Sequence, residues 1–277
     1  MIVCRPLEKE AYFLISAKVY NEFMHIYLTF MIFLLGLVLA SFLNALLYRI
    51  DNGYKYPEIF VKGSHCEKCG KMLKVYELIP VLSYIIFRGK CSKCGYKIPK
   101  YYPISELALG IGMGSIYYHS LSPILYIVLI FFFCFSYFDR MYKEIPKELV
   151  DTFLIFSIIY FLIFTLLNYS IPENAVIGGI VMCVFILLIA KVMKKPFGMG
   201  DILVLLGLSM VVDLKLYLGY IYVFLISSGL YSLYIVLFKK EKIKSSLALL
   251  PFMFLSLSIT FLFYPYLLEF ISRVFYF

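Results

Sequence analysis

Residues 124–139 read ILYIVLIFFFCFSYFD, a run without a charge until its last residue, Asp139. Similar apolar segments recur along the chain, at 24–48, 104–120, 121–138, 147–168, 175–192, 201–213, 216–238 and 246–270. Hydrophobic residues make up 63% of the 277 residues, which is more than a soluble domain of this size can bury. The sequence therefore predicts an all-α polytopic membrane protein with about eight transmembrane helices.

The distribution of basic residues predicts the orientation. With eight spans, the loops 49–103, 139–147, 191–200 and 239–245 lie on one face and carry 21 of the 26 Lys and Arg residues. The positive-inside rule assigns this face to the cytoplasm, with both termini outside. The net charge of +9 then reflects topology and contact with the lipid bilayer, and it gives no support to a nucleic-acid partner.

Four cysteines stand in the polar stretch between the first two segments, as the pairs Cys66/Cys69 and Cys91/Cys94, each followed by glycine. Thiolates at this CxxC…CxxC spacing suit tetrahedral Zn²⁺, and a closed set of four sulfurs indicates a structural ion. Two disulfides or unliganded thiols are the alternatives, although a reducing compartment disfavours disulfides. His65 is an alternative ligand beside Cys66.

Two carboxylates, Asp139 and Asp201, fall at the same predicted side of the membrane. Acidic groups near bilayer depth are costly and usually mark function, and two together can share a proton and activate water. Asp201 has a simpler interpretation as an N-cap of the segment that it opens. Gly198 and Gly200 lack side chains, so they would let an extended peptide approach that carboxylate.

Asp139 has no such simple explanation, because a carboxylate at a helix C-terminus opposes the macrodipole. Arg140 and Lys143 are the expected compensating charges. Pro146 can serve as the first residue of the next helix. Glu106 is accounted for by its place in the first turn of the second segment, and Asp151 is a weaker third acidic candidate.

Taken in order, these motifs resemble the type IV prepilin peptidase family of GxGD aspartic membrane proteases, also called leader peptidases/N-methyltransferases. The resemblance covers about residues 36–253. It rests on Gly36, Ser41–Asn44, Tyr48-Arg49, the two cysteine pairs, Ile79–Tyr84, Arg88–Lys90, Tyr102–Leu107, Asp139, Ile145-Pro146, Gly198–Asp201 and Pro251-Phe252.

The resemblance implies cleavage of the leader peptide of type IV pilin or pseudopilin precursors at the cytoplasmic face of a bacterial cell membrane, with Asp139 and Asp201 as the catalytic pair. It also implies methylation of the new N-terminus, with S-adenosylmethionine as methyl donor. No glycine-rich loop locates a site for that donor. The chain departs from the family at Leu203, where many members carry lysine.

The expected organisation is an N-terminal extension at 1–23, a first transmembrane helix at 24–48 and a cytoplasmic zinc-binding loop domain at 49–103. A transmembrane GxGD peptidase core at 104–270 and a tail at 271–277 follow. HExxH, GxSxG and P-loop motifs are absent from the sequence. The competing hypotheses are a proton-coupled transporter, in which the acids relay protons, and a membrane zinc scaffold without catalysis.

Overall fold

The computed structural model describes residues 6–168, 177–180, 184, 198–234, 237 and 248–275, with side chains from Val19 onward. Within these ranges the secondary structure is helical, apart from two isolated antiparallel bridges, and contains no strand. The helices are α1 (Pro6–Asp51), α2 (Glu58–Val61), α3 (Leu82–Ile86), α4 (Tyr101–Tyr118), α5 (Ile124–Tyr142), α6 (Lys147–Asn168), α7 (Met199–Val211), α8 (Leu214–Tyr234), α9 (Leu250–Leu262) and α10 (Tyr264–Phe275).

Four described helices, α1, α5, α6 and α8, are long and apolar enough to cross a membrane. The pair α9 and α10 makes a fifth candidate if it is counted as one bent span. The outward sides of these helices are strongly apolar. On α6, for example, Ile155, Ile159 and Leu162 are each more than half exposed, as expected for a surface that meets lipid. The all-α membrane fold predicted from the sequence is confirmed.

Individual segments differ from the eight predicted ones. The segment 175–192 lies largely outside the described residues. The segment 201–213 forms α7, whose 13 residues reach about 20 Å, less than the hydrocarbon core of about 30 Å. The segment 246–270 is two helices, because the chain bends by 91° at Phe263. Pro265 follows this bend, and proline cannot donate the backbone hydrogen bond that would continue α9.

α1 and α4 pack so closely that their backbones touch. A Cβ added to Gly36 would lie 2.7 Å from the Cα of Gly110, which no real side chain tolerates. On the same face of α4, a Cβ at Gly114 would lie 3.2 Å from the Cβ of Phe33. Small residues at such spacing allow transmembrane helices to approach, since van der Waals contact is a main source of attraction there. α1 continues beyond segment 24–48 at both ends.

α9 lies at the centre of the bundle and packs against α4, α5 and α8. Its Phe254 meets Phe133 of α5 edge-on at 5.6 Å between ring centroids. Phe132 of α5 likewise meets Tyr220 of α8 at 6.2 Å, and all four rings are buried. Edge-to-face aromatic packing of this kind fixes the mutual position of helices that are far apart in sequence.

The ends of α1 and α5 and the start of α4 lie at the same end of the bundle. The Tyr142 hydroxyl at the end of α5 donates to the Asp51 carboxylate at the end of α1. The Arg140 guanidinium lies 4.2 Å from the centre of the Tyr101 ring at the start of α4. The loop 52–100, which joins α1 to α4, therefore lies at the same end as the C-terminus of α5.

Candidate functional site: an aspartate pair and a cysteine cluster

Asp139 lies in the last turn of α5 and is buried, with 7% of its surface exposed. Its Oδ2 accepts a hydrogen bond of 2.9 Å from the backbone N–H of Leu250, the first residue of α9. The N–H of Leu249 also interacts with this carboxylate. Free N–H groups and the positive end of the macrodipole make a helix N-terminus a favourable place for an anion.

The expected compensation of Asp139 by Arg140 is wrong. The Arg140 side chain stacks on Tyr101 instead, and the negative charge is met by the start of α9. Sequence reasoning missed this partner because Leu250 is 111 residues away. Pro251 was the available signal, since proline in the first turn marks the start of a helix.

Asp201 is the third residue of α7, whose N-cap is Gly198 and has no side-chain capping hydrogen bond. The simpler interpretation of Asp201 as the N-cap therefore does not hold. The glycines beside it give room to neighbouring side chains. A Cβ on Gly198 would lie 3.0 Å from Asp201 Oδ2, and one on Gly200 would lie 2.9 Å from Cδ1 of Ile145. The approach of a peptide at these glycines stays a prediction.

The two carboxylates come from separate helices, and the start of α7 lies beside Ile145, six residues after Asp139, since a Cβ on Gly200 would nearly touch the Ile145 side chain. The Asp201 carboxyl is partly buried and also acts on the phenol of Tyr220. Among the described residues, no lysine or arginine forms an ion pair with either aspartate. Two such carboxyl groups cannot both ionise easily, so one tends to keep a proton while the other can act as a base.

The remaining acidic candidates, Asp151 and Glu106, differ in burial. Asp151 is exposed about one turn inside α6. Glu106 does not lie in the first turn of a helix, because α4 already begins at Tyr101, and its side chain is buried. The first-turn explanation for Glu106 is therefore wrong.

Leu203, which stands where the resemblance led us to expect lysine, is partly buried and packs against the hydrophobic core.

The four cysteines predicted to bind metal come together in the loop 52–100. The sulfurs of Cys66, Cys69, Cys91 and Cys94 all lie within 4.8 Å of one another. Two edges of this cluster measure 3.8 Å and 4.0 Å, while a disulfide would require about 2.05 Å. Sulfurs bound tetrahedrally at about 2.3 Å from zinc are separated by similar edges. The cluster could therefore hold one zinc ion with a closed shell, and the disulfide alternative does not hold.

Each cysteine pair lies in the same kind of turn. The N–H of Gly70 donates to the carbonyl of Cys66, and the N–H of Gly95 donates to the carbonyl of Cys91, at 2.9 and 3.0 Å. Both glycines have positive φ, +65° and +68°, a conformation that other residues rarely adopt. One antiparallel bridge closes each turn, His65 with Met72 and Lys90 with Lys97.

The surroundings of one cysteine of the cluster, Cys91, favour a thiolate. Backbone N–H groups of Cys94 and Lys93 point at the sulfur of Cys91 and lower the pKa of its thiol to about 6. His65 is not part of the cluster, and its ring lies edge-on to Tyr48. The alternative of His65 as a ligand thus has no support in the geometry.

The Glu77 carboxylate connects the two turns, because it contacts Lys71 beside the first and Ser92 in the second. The Lys71 ammonium lies 2.6 Å from the carboxylate of Glu77, and the Ser92 hydroxyl donates to the same oxygen at 2.5 Å. These contacts, with the backbone N–H of Lys74, hold the pKa of Glu77 at about 2. Glu77 therefore stays ionised wherever thiolates can bind metal.

The comparisons with known proteins agree with this arrangement. Residues 34–120, which include the cysteine cluster, match the family model of the Bacterial Peptidase A24 N-terminal domain. Similar curated proteins are named Prepilin leader peptidase/N-methyltransferase. That of Vibrio cholerae is 30% identical over 154 residues, that of Myxococcus xanthus 32% over 126, and that of Bacillus subtilis 29% over 192.

These alignments cover 53%, 45% and 67% of this chain, and 60%, 31% and 74% of the respective relatives. The chain thus matches between about a third and three quarters of each relative's length. No solved structure matches it. The domain model over α1, the cysteine loop and α4, together with the repeated relatives, shows that the chain is similar to the prepilin leader peptidase/N-methyltransferase proteins.

Proposed function

We propose that this chain is an aspartic endopeptidase that removes the leader peptide of type IV pilin or pseudopilin precursors and then methylates the new N-terminus. The observation that supports the proposal is that Asp139, near the end of α5, and Asp201, in the first turn of α7, lie at the same end of the bundle, where α7 begins beside Ile145. The names of the relatives supply the class of substrate.

The two carboxyl groups divide the work of amide hydrolysis. The ionised one accepts a proton from a water molecule, whose oxygen attacks the carbonyl carbon of the scissile bond. The protonated one donates to the carbonyl oxygen as the tetrahedral intermediate forms. When the C–N bond breaks, the leaving amine takes up a proton and the pair returns to sharing one. The hydrogen bond from Leu250 restrains Asp139 at a fixed orientation throughout.

The cysteine cluster takes a structural part in this proposal. Zinc bound by Cys66, Cys69, Cys91 and Cys94 would have no open position for water or substrate, so it would stabilise the loop domain at 49–103.

The methyl donor, S-adenosylmethionine, supplies an electrophilic methyl group. The new amine would form the N–C bond as the C–S bond breaks, releasing S-adenosylhomocysteine and one proton.

Sidedness follows from charge. The end of the bundle that carries the loop domain and the aspartates has most of the chain's lysine and arginine residues, which supports a cytoplasmic location in the cell membrane and both termini outside. Both aspartates lie at helix ends, Asp139 in the last turn of α5 and Asp201 in the first turn of α7. Proton relays of transporters lie near the midplane instead, so this position favours the peptidase over a transporter.

The test is co-expression with pilin-like precursors, followed by intact mass measurement of the product. Wild type should remove the leader and leave an N-terminus heavier by one methyl group. Asp139→Asn and Asp201→Asn should leave the precursor uncut while the proteins still insert, and Asp151→Asn, an exposed carboxylate at the same end, should cut like wild type. Cleavage by either catalytic variant would exclude the aspartate mechanism.

A further inference from the structure

A cavity of about 200 Å³ lies between the cysteine loop, the end of α1 and the start of α4. A single water needs only about 10–15 Å³ by the same kind of measure, so the cavity has room for a ligand of many atoms. Its wall includes two of the clustered cysteines, Cys66 and Cys91. Neither Asp139 nor Asp201 lines it, so it is separate from the proposed peptidase site.

Two buried charges of opposite sign line this cavity without a countercharge. Glu106 is 8% exposed and Arg49 is 7% exposed. The Glu106 carboxylate accepts from the N–H of Val81 at 2.8 Å, and the Arg49 guanidinium donates to the carbonyl of Ile59 at 2.7 Å. Among the described residues, neither group has an ion-pair partner. Buried charges of this kind are costly unless a ligand pairs with them.

A third buried group points to the same ligand. Asn44 is 3% exposed and lines the cavity, and its Nδ2 donates to Ser105 at 3.1 Å. Its Oδ1 has no hydrogen-bond partner among the described residues, so it is a buried acceptor in need of a donor. Together, Arg49, Glu106 and Asn44 offer one cationic donor, one anionic acceptor and one neutral acceptor. This set is complementary to the carboxylate and ammonium of an amino acid.

The rest of the wall suits a flat ring and a cation. Four tyrosines contribute to it, Tyr48, Tyr84, Tyr96 and Tyr102, each only partly exposed. Aromatic faces stack on planar heterocycles, and they attract cations such as a sulfonium. A ligand that combines an amino-acid zwitterion, a sulfonium and an adenine ring would use every feature of this cavity.

We propose that this cavity is the site for S-adenosylmethionine, with Arg49 binding its carboxylate, Glu106 and Asn44 its ammonium, and the tyrosines its adenosyl sulfonium part. This inference rests on the methyltransferase half of the proposed function. It gives Glu106 a role that its position in the sequence does not suggest, and it makes the metal-bound loop one wall of the methyl-donor site.

The test compares two ligands on the purified, zinc-loaded, full-length protein by isothermal titration calorimetry. S-adenosylhomocysteine carries the amino-acid part, and 5′-methylthioadenosine lacks it. Arg49→Met and Glu106→Gln should each weaken binding of S-adenosylhomocysteine by roughly tenfold or more, the loss expected for one charge-assisted hydrogen bond. Both should leave the affinity for 5′-methylthioadenosine within about twofold of wild type. Glu269→Gln, an exposed carboxylate on α10, is the matched control and should change neither affinity.

Equal loss of both ligands in the two variants, or no loss of either, would overturn the assignment, as would a wild-type protein that binds neither ligand. Photo-crosslinking of radiolabelled S-adenosylmethionine to wild type requires no variant to fold. Label in peptides that carry Tyr48, Tyr84 or Tyr96 supports the site, and label confined to other peptides contradicts it. Leader cleavage is scored separately. Cleavage without binding of S-adenosylhomocysteine would contradict this inference and leave the peptidase proposal standing. Binding without cleavage would contradict the peptidase proposal and leave this inference standing.

Discussion

The backbone N–H of Leu250 donates a hydrogen bond of 2.9 Å to the carboxylate of Asp139, across 111 residues of sequence. The contact joins the end of α5 to the beginning of α9, the central helix of the bundle. It serves two purposes, because it stabilises a buried acidic group and it fixes the direction in which that group points.

Two substitutions at this position should therefore behave differently in stability. Asp139→Asn keeps an oxygen acceptor for Leu250, whereas Asp139→Leu leaves the buried N–H without a partner, at a cost of about 1–3 kcal/mol. We expect a lower unfolding temperature for Asp139→Leu than for Asp139→Asn, measured by circular dichroism in detergent. The same two substitutions at exposed Asp151 should be nearly equal in stability. Equal stability of the two Asp139 variants would show that this hydrogen bond contributes little.

Metal content gives an independent prediction for the cysteine cluster. Protein purified without chelator should contain one zinc per chain, and replacing Cys66 and Cys69 together by serine should abolish it, since two ligands cannot hold the ion in this geometry. Elemental analysis by mass spectrometry measures both. Cys134→Ser is the control, because that cysteine lies in α5 away from the cluster. A metal-free wild type would contradict the zinc assignment.

The contact between α1 and α4 should be sensitive to a single methyl group. Gly36→Ala would place a Cβ 2.7 Å from the Cα of Gly110, so the helices must separate, at a cost of about 1–3 kcal/mol. Gly229→Ala on α8 meets nothing within 4 Å and should be neutral or stabilising by about 0.5–1 kcal/mol. Thermal unfolding of the two variants checks this difference. Similar stability of both would mean that the helices are not in backbone contact.

The pH dependence of metal retention should not involve Glu77. Its pKa of about 2 lies below the ordinary value of 4.5, so its stabilising effect is complete above pH 4.5 and is lost as the pH falls toward 2. Glu77→Gln should release zinc faster than wild type by a factor that stays constant from pH 8 to pH 5. A chromogenic chelator measures the release rates. A factor that changes across this range would show that Glu77 titrates there.

Local patterns in the sequence predicted the local parts of the structure well. The segment 147–168 begins at the same residue as α6, Lys147–Asn168, because a charged first turn precedes the long apolar run. The spacing of the cysteine pairs, with Gly70 and Gly95 behind them, likewise predicted a cluster that the structure confirms. These features depend on neighbours only a few residues away.

The features that the sequence did not reveal depend on distant partners. Asp139 is satisfied by Leu250, which no short-range pattern could identify. Glu106 looked like a helix-start residue because Pro103 precedes it, yet α4 begins earlier and turns this carboxylate inward. Asn44 and Arg49 belong to the motifs that carry the family resemblance. Their shared cavity with Glu106, however, forms only when α1 and α4 pack together. By contrast, Pro265 was a readable signal for the bend between α9 and α10.

The backbone contact at Gly36 and Gly110 also bears on how the protein would unfold. Both ends of the cysteine loop are attached to a helix pair that packs without help from the loop, so the loop and the bundle can behave as two cooperative units. Stripping the metal should then open amide exchange in residues 52–100 while the core of α4, α5 and α9 stays protected. The membrane part of such a protein would outlast its metal, and the loop could refold on it each time zinc returned.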